Sequence, residues 1–383
     1  MALHFEDAEF RARRDRALAS LAEQGLDALL MFDQASMYWL TGYDTFGYCF
    51  FQCLVLRADG ELVLLTRSAD LRQARHTSIV QDIRIWVDRE DSDAAQDLRA
   101  LLAEKGLAGK RLGVEYRSHG LTAANGRMLD AALADFARTV HASELISRLR
   151  LVKSDAELAY VRRAAALADA ALDAAIRESG PGADEGAILA AMQGAVFEGG
   201  GDYPANPFIL GSGVDALLCR YRSGRRRLEA RDQLTIEFAG VYRQYHACLM
   251  RTLLVGEPCA RQCALHAACL EALAAAEEKL RPGSTMGEVY DAQARVLDAH
   301  GMQPHRLNAC GYSLGAVYAP SWMDWPMFFA GNPVELGPGM VFFLHMILMD
   351  SDAGLAMTLA RTSLITGSGA LPLSKASLDL IVT

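Results

Sequence analysis

The sequence of 383 residues predicts a mixed α/β (α+β) protein with two domains, a smaller one over residues 1–147 and a larger one over residues 148–383. Two observations predict this class. Helical and strand patterns alternate through the first domain, which is typical of a small α/β layer structure. The second domain contains two long helical patterns with start signals, each followed by strand patterns, which indicates a larger domain that also mixes helices and strands.

The elements of the first domain follow from its apolar periodicity. Residues 10–24 predict an amphipathic helix, which Gly25 ends. Residues 26–32 are almost entirely apolar and predict a buried strand. The turn signal Ala58-Asp59-Gly60 predicts a hairpin between two strands. The predicted strands lie at 26–32, 50–56, 61–65, 82–87 and 111–114, with a second helix at 94–106.

The two long helices of the second domain both begin with a capping signal. Ser154 is a good N-cap residue, and Glu157 three positions later completes a capping box for a helix over residues 156–178. Thr285 and Glu288 have the same spacing and predict the start of the second helix. Between these helices, residues 234–252 predict two strands joined by a short turn.

Composition excludes several classes of partner. A net charge of −9 and 22% charged residues do not provide the basic surface that nucleic-acid phosphates require. The short run Arg225-Arg226-Arg227 is interpreted as a solvated turn or a substrate-anion contact. No apolar run approaches the roughly 18 residues that span a bilayer, and the N-terminus lacks the pattern of a signal peptide. The eight cysteines form no disulfide framework, so we expect reduced thiols and a cytoplasmic protein.

Five segments together resemble the creatinase/aminopeptidase P superfamily, whose catalytic domains have the pita-bread fold. The segments are the junction that begins at Arg148, FILGSG at 208–213, the predicted hairpin at 234–252, GYSLG at 311–315 and PGMVFFLHM at 338–346. The resemblance covers nearly the whole chain. It implies an N-terminal creatinase-like α/β domain, a C-terminal pita-bread catalytic domain and a homodimer.

The resemblance also implies where a metal site would lie. Metal-dependent members place an Asp on each hairpin strand and add a His and two Glu later in the chain. At those positions this sequence has Glu237, Cys248, Tyr312, His345 and Ala360. We therefore expect no metal, although a single weakly held divalent ion on Glu237 and His345 stays open. The pattern resembles the branch without a dimetal site, represented by creatinase and ectoine hydrolase, but lacks a Glu that ectoine hydrolases carry near the last strand.

Two residues are predicted to be catalytic. Glu237 lies in a strand that should be buried, where a carboxylate is costly unless it is paired or has a function as general base or nucleophile. The alternative is a structural ion pair with Arg251 across the hairpin. His345 lies in an apolar strand at a family ligand position and is predicted to shuttle protons, with a core histidine as the alternative.

Further residues are predicted to contact substrate. Arg220 falls where relatives carry a substrate-contacting His and could clamp a carboxylate. Tyr312 could stabilise an oxyanion, and Trp322 with Asp324 could surround a cationic group. Cys248 and Arg251 on the second hairpin strand complete this set. In the first domain, residues 37–46 match a family strand and loop, so Tyr43, Phe46 and Tyr48 are candidate lid residues for a partner subunit's site.

The predicted activity is metal-independent hydrolysis of a C–N bond in a small zwitterion, such as a cyclic amidine, a guanidino acid or an amide. Three alternatives stay open: a prolidase or aminopeptidase P-type metallopeptidase, a lyase that acts on a small osmolyte, and a non-catalytic binding protein that uses the cavity as a sensor.

Overall fold

The computed structural model describes residues 3–220 and 225–383. It divides into two compact units, one ending at Arg150 and the other comprising Leu151–Thr383. The predicted boundary after residue 147 lies inside helix α6 (Glu144–Leu151), whereas the units separate after Arg150. None of the described helices is long and apolar enough to cross a membrane.

Over residues 3–150, the first unit is a six-stranded sheet with helices. The strands have the order β4-β3-β2-β1-β5-β6, in which β1, β5 and β6 run parallel. The elements are α1 (Asp7–Glu23), β1 (Ala28–Met31), α2 (Gln34–Thr41), β2 (Cys53–Arg57), β3 (Leu62–Arg67), α3 (Leu71–Thr77), β4 (Asp82–Trp86), α4 (Ala94–Glu104), β5 (Arg111–Val114), α5 (Ala123–Leu133), β6 (Arg138–His141) and α6.

Helix α2 corrects one expectation, because the segment read as a family strand and loop is helical up to Thr41. Asp33 caps this helix by accepting the N–H of Ala35 at 3.1 Å. Gly42 ends it in the left-handed region at φ 81°, where glycine is favoured. Every residue of α2 is buried, so no polar face signals the helical period.

In the second unit, the described residues form a nine-stranded sheet covered by helices. The main path is β11-β10-β12-β13-β9-β8-β7, with β14 beside β13 and β15 beside β9. Its elements are α7 (Asp155–Glu178), α8 (Glu185–Glu198), β7 (Ile209–Ser212), β8 (Asp232–Tyr242), β9 (Tyr245–Val255), α9 (Ala260–Lys279), α10 (Met286–Ala299), β10 (Gly311–Ser313), β11 (Asp324–Met327), β12 (Val341–Asp350), β13 (Leu355–Thr366), β14 (Gly369–Pro372) and β15 (Ile381–Val382). Both predicted capping boxes, Ser154 with Glu157 and Thr285 with Glu288, are confirmed.

The predicted hairpin is formed by β8 and β9, which lie between β13 and the edge strand β7 in this sheet. Its two-residue turn, Arg243-Gln244, has φ values of 53° and 67°, the geometry that suits the twist of a tight hairpin. Helix α7 packs directly on β8 at Gly240, where any Cβ would overlap the Ala164 carbonyl. The helices therefore cover one face of the hairpin and leave the Glu237 side chain on the other.

The register of the strands places residues from several strands in one row across the sheet. Glu237 on β8 pairs with Ile209 and Met250, Met250 pairs with Ala360, and Ala360 pairs with His345. Cross-strand partners share a face, so these side chains lie on the same side of the sheet. The row brings the two predicted catalytic residues to one surface although they are far apart in sequence.

Candidate active site

A cavity of about 160 Å³ lies on this face of the second unit. It is lined from β7, β8, β10, β12 and the segments around β11, together with the described residues that precede position 221. The predicted residues Glu237, His345, Arg220, Tyr312 and Trp322 all line it. The remaining polar lining residues are Asn206 and Cys219.

Glu237 is the acidic side chain among the described residues that line the cavity. It is only 9% exposed, and burial raises the pKa of its carboxyl to about 7, although Tyr312 and the Arg220 guanidinium act in the opposite direction. At neutral pH the group is therefore divided between its acid and carboxylate forms. A carboxyl with this pKa can both accept and return a proton.

Tyr312 orients this carboxyl. Its hydroxyl donates to Glu237 Oε1 at 3.3 Å and accepts the indole N–H of Trp322 at 2.8 Å. Burial raises the pKa of the Tyr312 phenol well above its usual value, so the hydroxyl keeps its proton. Tyr312 therefore holds Glu237 in place, and its only hydroxyl hydrogen is not available to a substrate oxyanion in this arrangement.

His345 lies beside Tyr312, with the two ring centroids 5.8 Å apart. It is 8% exposed, and its Nδ1 is buried without a hydrogen-bond partner among the described residues. Burial lowers the pKa of the imidazole to about 4, with a further small effect of Arg220 in the same direction. The ring is neutral at physiological pH, so it can relay a proton but does not hold a spare one.

Arg220 is the cation among the described residues that line the cavity. Its side chain is exposed and makes no hydrogen bond or ion pair with the described residues. The guanidinium influences the pKa values of Glu237, His345 and the neighbouring Cys219. A guanidinium without a protein partner beside a small cavity is suited to a bidentate contact with a carboxylate.

Asn206 was missed in the sequence because it belongs to an irregular segment without a recognisable motif. Its Oδ1 accepts the backbone N–H of Trp322 at 3.1 Å, which fixes the residue that binds Tyr312. Next to it, the Ala205 N–H donates to the buried ring of His246 at 2.9 Å. Burial lowers the pKa of His246 to about 4, so the ring stays a neutral acceptor.

Three predicted substrate-binding residues do not line the cavity. Arg251 pairs with Ile236, one position away from the Glu237 pair, so it points to the opposite face. There its guanidinium donates to the backbone carbonyls of Met250 and Ala360, which removes the alternative of a Glu237–Arg251 ion pair. Cys248 is fully buried, and burial raises the pKa of its thiol. Asp324 starts β11 and accepts the Trp325 N–H at 2.8 Å.

The three lid candidates differ, and Tyr48 is half-buried. Tyr43 is fully buried in the core of the first unit, and its hydroxyl donates to Gln52 at 3.1 Å, so it is a core residue rather than a lid. Phe46 is 81% exposed. A role for Phe46 in a partner subunit's site stays a prediction.

The donors on this face do not fit a dimetal site. Of the five family ligand positions, Glu237 is the sole carboxylate, and its Oε1 already accepts from Tyr312. Met250 and Ala360 separate it from His345 in the cross-strand row, and neither offers a hard oxygen or nitrogen donor. Within the described residues, no three His, Cys, Asp or Glu side chains come together in a way that could hold a metal ion.

Residues 159–367, more than half of the chain, match the profile described as metallopeptidase family M24. The chain belongs to this family. Residues 13–152 match the creatinase/prolidase N-terminal domain, and the two matches confirm the creatinase/aminopeptidase P superfamily, the N-terminal creatinase-like domain and the pita-bread domain expected from the sequence. Membership places the chain among hydrolases.

The names of individual relatives state two kinds of activity. The chain is 28% identical over 386 residues to an ectoine hydrolase of Halomonas elongata, with 96% of each chain covered. It is 26% identical over 238 residues to an Xaa-Pro dipeptidase of Pyrococcus furiosus, covering 62% of this chain and 67% of that one. Among solved structures, dipeptidase PepE of Mycobacterium ulcerans matches with a TM-score of 0.85 and 25% identity over 99% of both chains.

Proposed function

We propose that this M24 protein hydrolyses a C–N bond in a small carboxylate-bearing compound, an amidine, guanidino acid or amide, without a metal ion. The observation that carries the proposal is the donor set of the cavity. A carboxyl with a pKa near 7, a neutral imidazole and a guanidinium without a partner among the described residues surround a space of about 160 Å³, whereas the family's hard-ligand positions are largely lost. The similarity to ectoine hydrolase supports this class of substrate.

In the proposed reaction, Arg220 binds the substrate carboxylate and Glu237 acts on the sp² carbon. As a base, the Glu237 carboxylate takes a proton from water, whose oxygen bonds to the carbon while the C–N bond breaks. Glu237, now protonated, then returns the proton to the leaving nitrogen. As a nucleophile, the same carboxylate would bond to the sp² carbon while the C–N bond breaks and the leaving nitrogen takes a proton from water. The hydroxide formed would then hydrolyse the acyl-type intermediate and release the Glu237 carboxylate. Tyr312 keeps its proton and fixes the Glu237 carboxyl in both routes.

The acid role moves from His345 to Glu237 in this proposal. An imidazole with a pKa near 4 is almost entirely neutral at pH 7 and has no excess proton for the leaving group. Glu237 has the better-matched pKa, since about half of it is protonated at neutral pH. His345 then relays a proton and forms one wall of the cavity. The homodimer, the cytoplasmic location and the lid role of Phe46 belong to the same proposal as predictions.

Metal content of the purified, untagged protein is the first test. We expect elemental mass spectrometry to find less than about a tenth of an equivalent of Mn, Fe, Co or Zn, because the remaining donors are too few for tight binding. The metal-free protein should then release a new carboxylate or amine product from ectoine-like, creatine-like or amide compounds. One to two tightly held metal equivalents, with cleavage of Xaa-Pro dipeptides, would support a metallopeptidase instead.

A further inference from the structure

The cavity has an apolar end that the proposed chemistry does not use. Four of its lining residues, Leu307, Ala309, Met327 and Ile347, come from chain segments around His345 and Tyr312. Ile347 lies two residues after His345 on β12 and therefore on the same face, and Met327 is the cross-strand partner of Tyr312. We call these four residues the apolar subsite.

Neighbouring backbone contacts place this subsite beside His345. The His345 N–H donates to the carbonyl of Cys310 at 2.9 Å, and Arg306 pairs with Leu348. Residues 306–310 therefore run along β12, which brings Leu307 and Ala309 next to Ile347. Glu237 instead lies beside Ile209, toward β7 and β8. The cavity is thus asymmetric, with its carboxyl on one side and an apolar wall on the other.

The charges of the cavity restrict the reacting group. A buried cationic amidinium or guanidinium needs a carboxylate as its partner. Glu237 is the acidic side chain available among the described lining residues, and the proposed reaction needs it free to accept a proton. Asp324, which could have been a second carboxylate, does not line the cavity. Arg220 leaves the site neutral to positive, which favours a substrate with one negative charge and an uncharged scissile group.

We propose that the substrate is an N-acyl amino acid with a short branched acyl chain, held with its carboxylate on Arg220 and its acyl chain in the apolar subsite. This inference rests on the proposed function and narrows its substrate class to amides. The amide C–N bond breaks, the acyl carbon takes the hydroxyl of water and the nitrogen takes a proton, which yields a carboxylic acid and an amino acid. The volume of about 160 Å³ is well below that of sites for drug-sized ligands, typically about 300–1,000 Å³, and suits so small a compound.

The test uses the full-length, metal-free protein and a series from N-acetylglycine through N-propionylglycine and N-isobutyrylglycine to N-isovalerylglycine, with ectoine and creatine alongside. We expect kcat/KM to increase about fourfold for each added carbon, because each buried methylene adds a similar favourable increment. A flat or falling series would overturn the inference. This measurement needs no variant.

Substitution of Ala309 tests how the volume of the apolar subsite affects the choice of substrate. Ala309→Leu fills the apolar subsite, so the ratio of kcat/KM for N-isovalerylglycine to that for N-acetylglycine should fall at least about tenfold. The matched control is Ala267→Leu, which makes the same change at an exposed position of α9 and should keep the wild-type ratio. An unchanged ratio in a folded Ala309→Leu protein would also overturn the inference.

The outcomes separate this inference from the function on which it rests. Hydrolysis of ectoine or creatine without hydrolysis of any N-acylglycine overturns the N-acyl class and leaves metal-independent C–N hydrolysis in place. Failure of the metal-free protein on every compound, with glycylproline cleaved after Mn²⁺ is added, overturns both.

Discussion

Two buried carboxyls, one in each unit, have pKa values raised by burial, yet their surroundings differ. Glu115 follows β5 in the first unit and accepts the N–H groups of Phe32 and Asp33 at 3.1 and 3.0 Å. Glu237 in the second unit has one hydrogen bond of 3.3 Å from Tyr312 and faces a cavity. A raised pKa alone therefore does not identify a reacting group. The cavity beside its carboxyl distinguishes Glu237 from Glu115.

The largest expected effect is on turnover. Glu237→Gln removes the group that accepts and returns the proton, so kcat should fall by about 10²–10⁴-fold. The amide oxygen still accepts from Tyr312, so the fold and the predicted dimer should persist. Steady-state kinetics with circular dichroism and light scattering would check this result.

Glu115→Gln is the matched control for that experiment. It makes the same chemical change at a carboxyl of similar burial that does not line the cavity, and the new amide oxygen can still accept from the backbone. The kcat of the folded protein should stay within about threefold of wild type. Near-normal rates in Glu237→Gln, or equal losses in both variants, would contradict the contrast between the two sites.

The cations near the two carboxyls also differ. Arg150 is buried and lies 3.5 Å from Asp33, whereas Arg220 is exposed and has no ion-pair partner among the described residues. Arg220→Ala should raise KM for carboxylate substrates by about 10–100-fold, the loss expected for a charge-assisted hydrogen-bonded pair. The matched control is Arg295→Ala, also at an exposed arginine, on α10. An unchanged KM, or an equal rise for substrate amides that lack the carboxylate, would remove the clamp.

Local sequence signals predicted much of the fold and part of the site. Capping boxes depend on residues three positions apart, so Ser154 and Thr285 could be recognised directly. The hairpin followed from its apolar strands and the family motif. Glu237, His345 and Tyr312 were identified from family ligand positions, and the structure brings all three to one cavity.

The predictions that were wrong or missing concern features that depend on the three-dimensional structure. Strand residues alternate between faces, so a shift of one position sends Arg251 away from the cavity although it lies on the correct strand. Tyr43 resembled a loop residue but follows a helix that is buried on every side, so no exposed polar face reveals the helical period. The apolar subsite carried no signal, because residues such as Ala309 and Ile347 resemble any core residue until the cavity beside them is seen.

The smallest expected effect is a pH-dependent change in stability. Burial raises the pKa of Glu237 from about 4.5 to about 7, so between these values the folded protein keeps a proton that the unfolded chain has released. The free energy of unfolding of the wild type therefore falls as pH rises from about 4.5 to 7. Glu237→Gln has no proton to lose. It should match the wild type below pH 4.5 and exceed it by about 1–3 kcal/mol at pH 8, since each pKa unit corresponds to about 1.4 kcal/mol. Urea unfolding at both pH values would measure this difference.

Glu198→Gln, at an exposed carboxylate, should show no such trend. A difference between Glu237→Gln and wild type that does not change with pH would mean that burial leaves the Glu237 carboxyl unperturbed, and the case for Glu237 as both acid and base would fail with it.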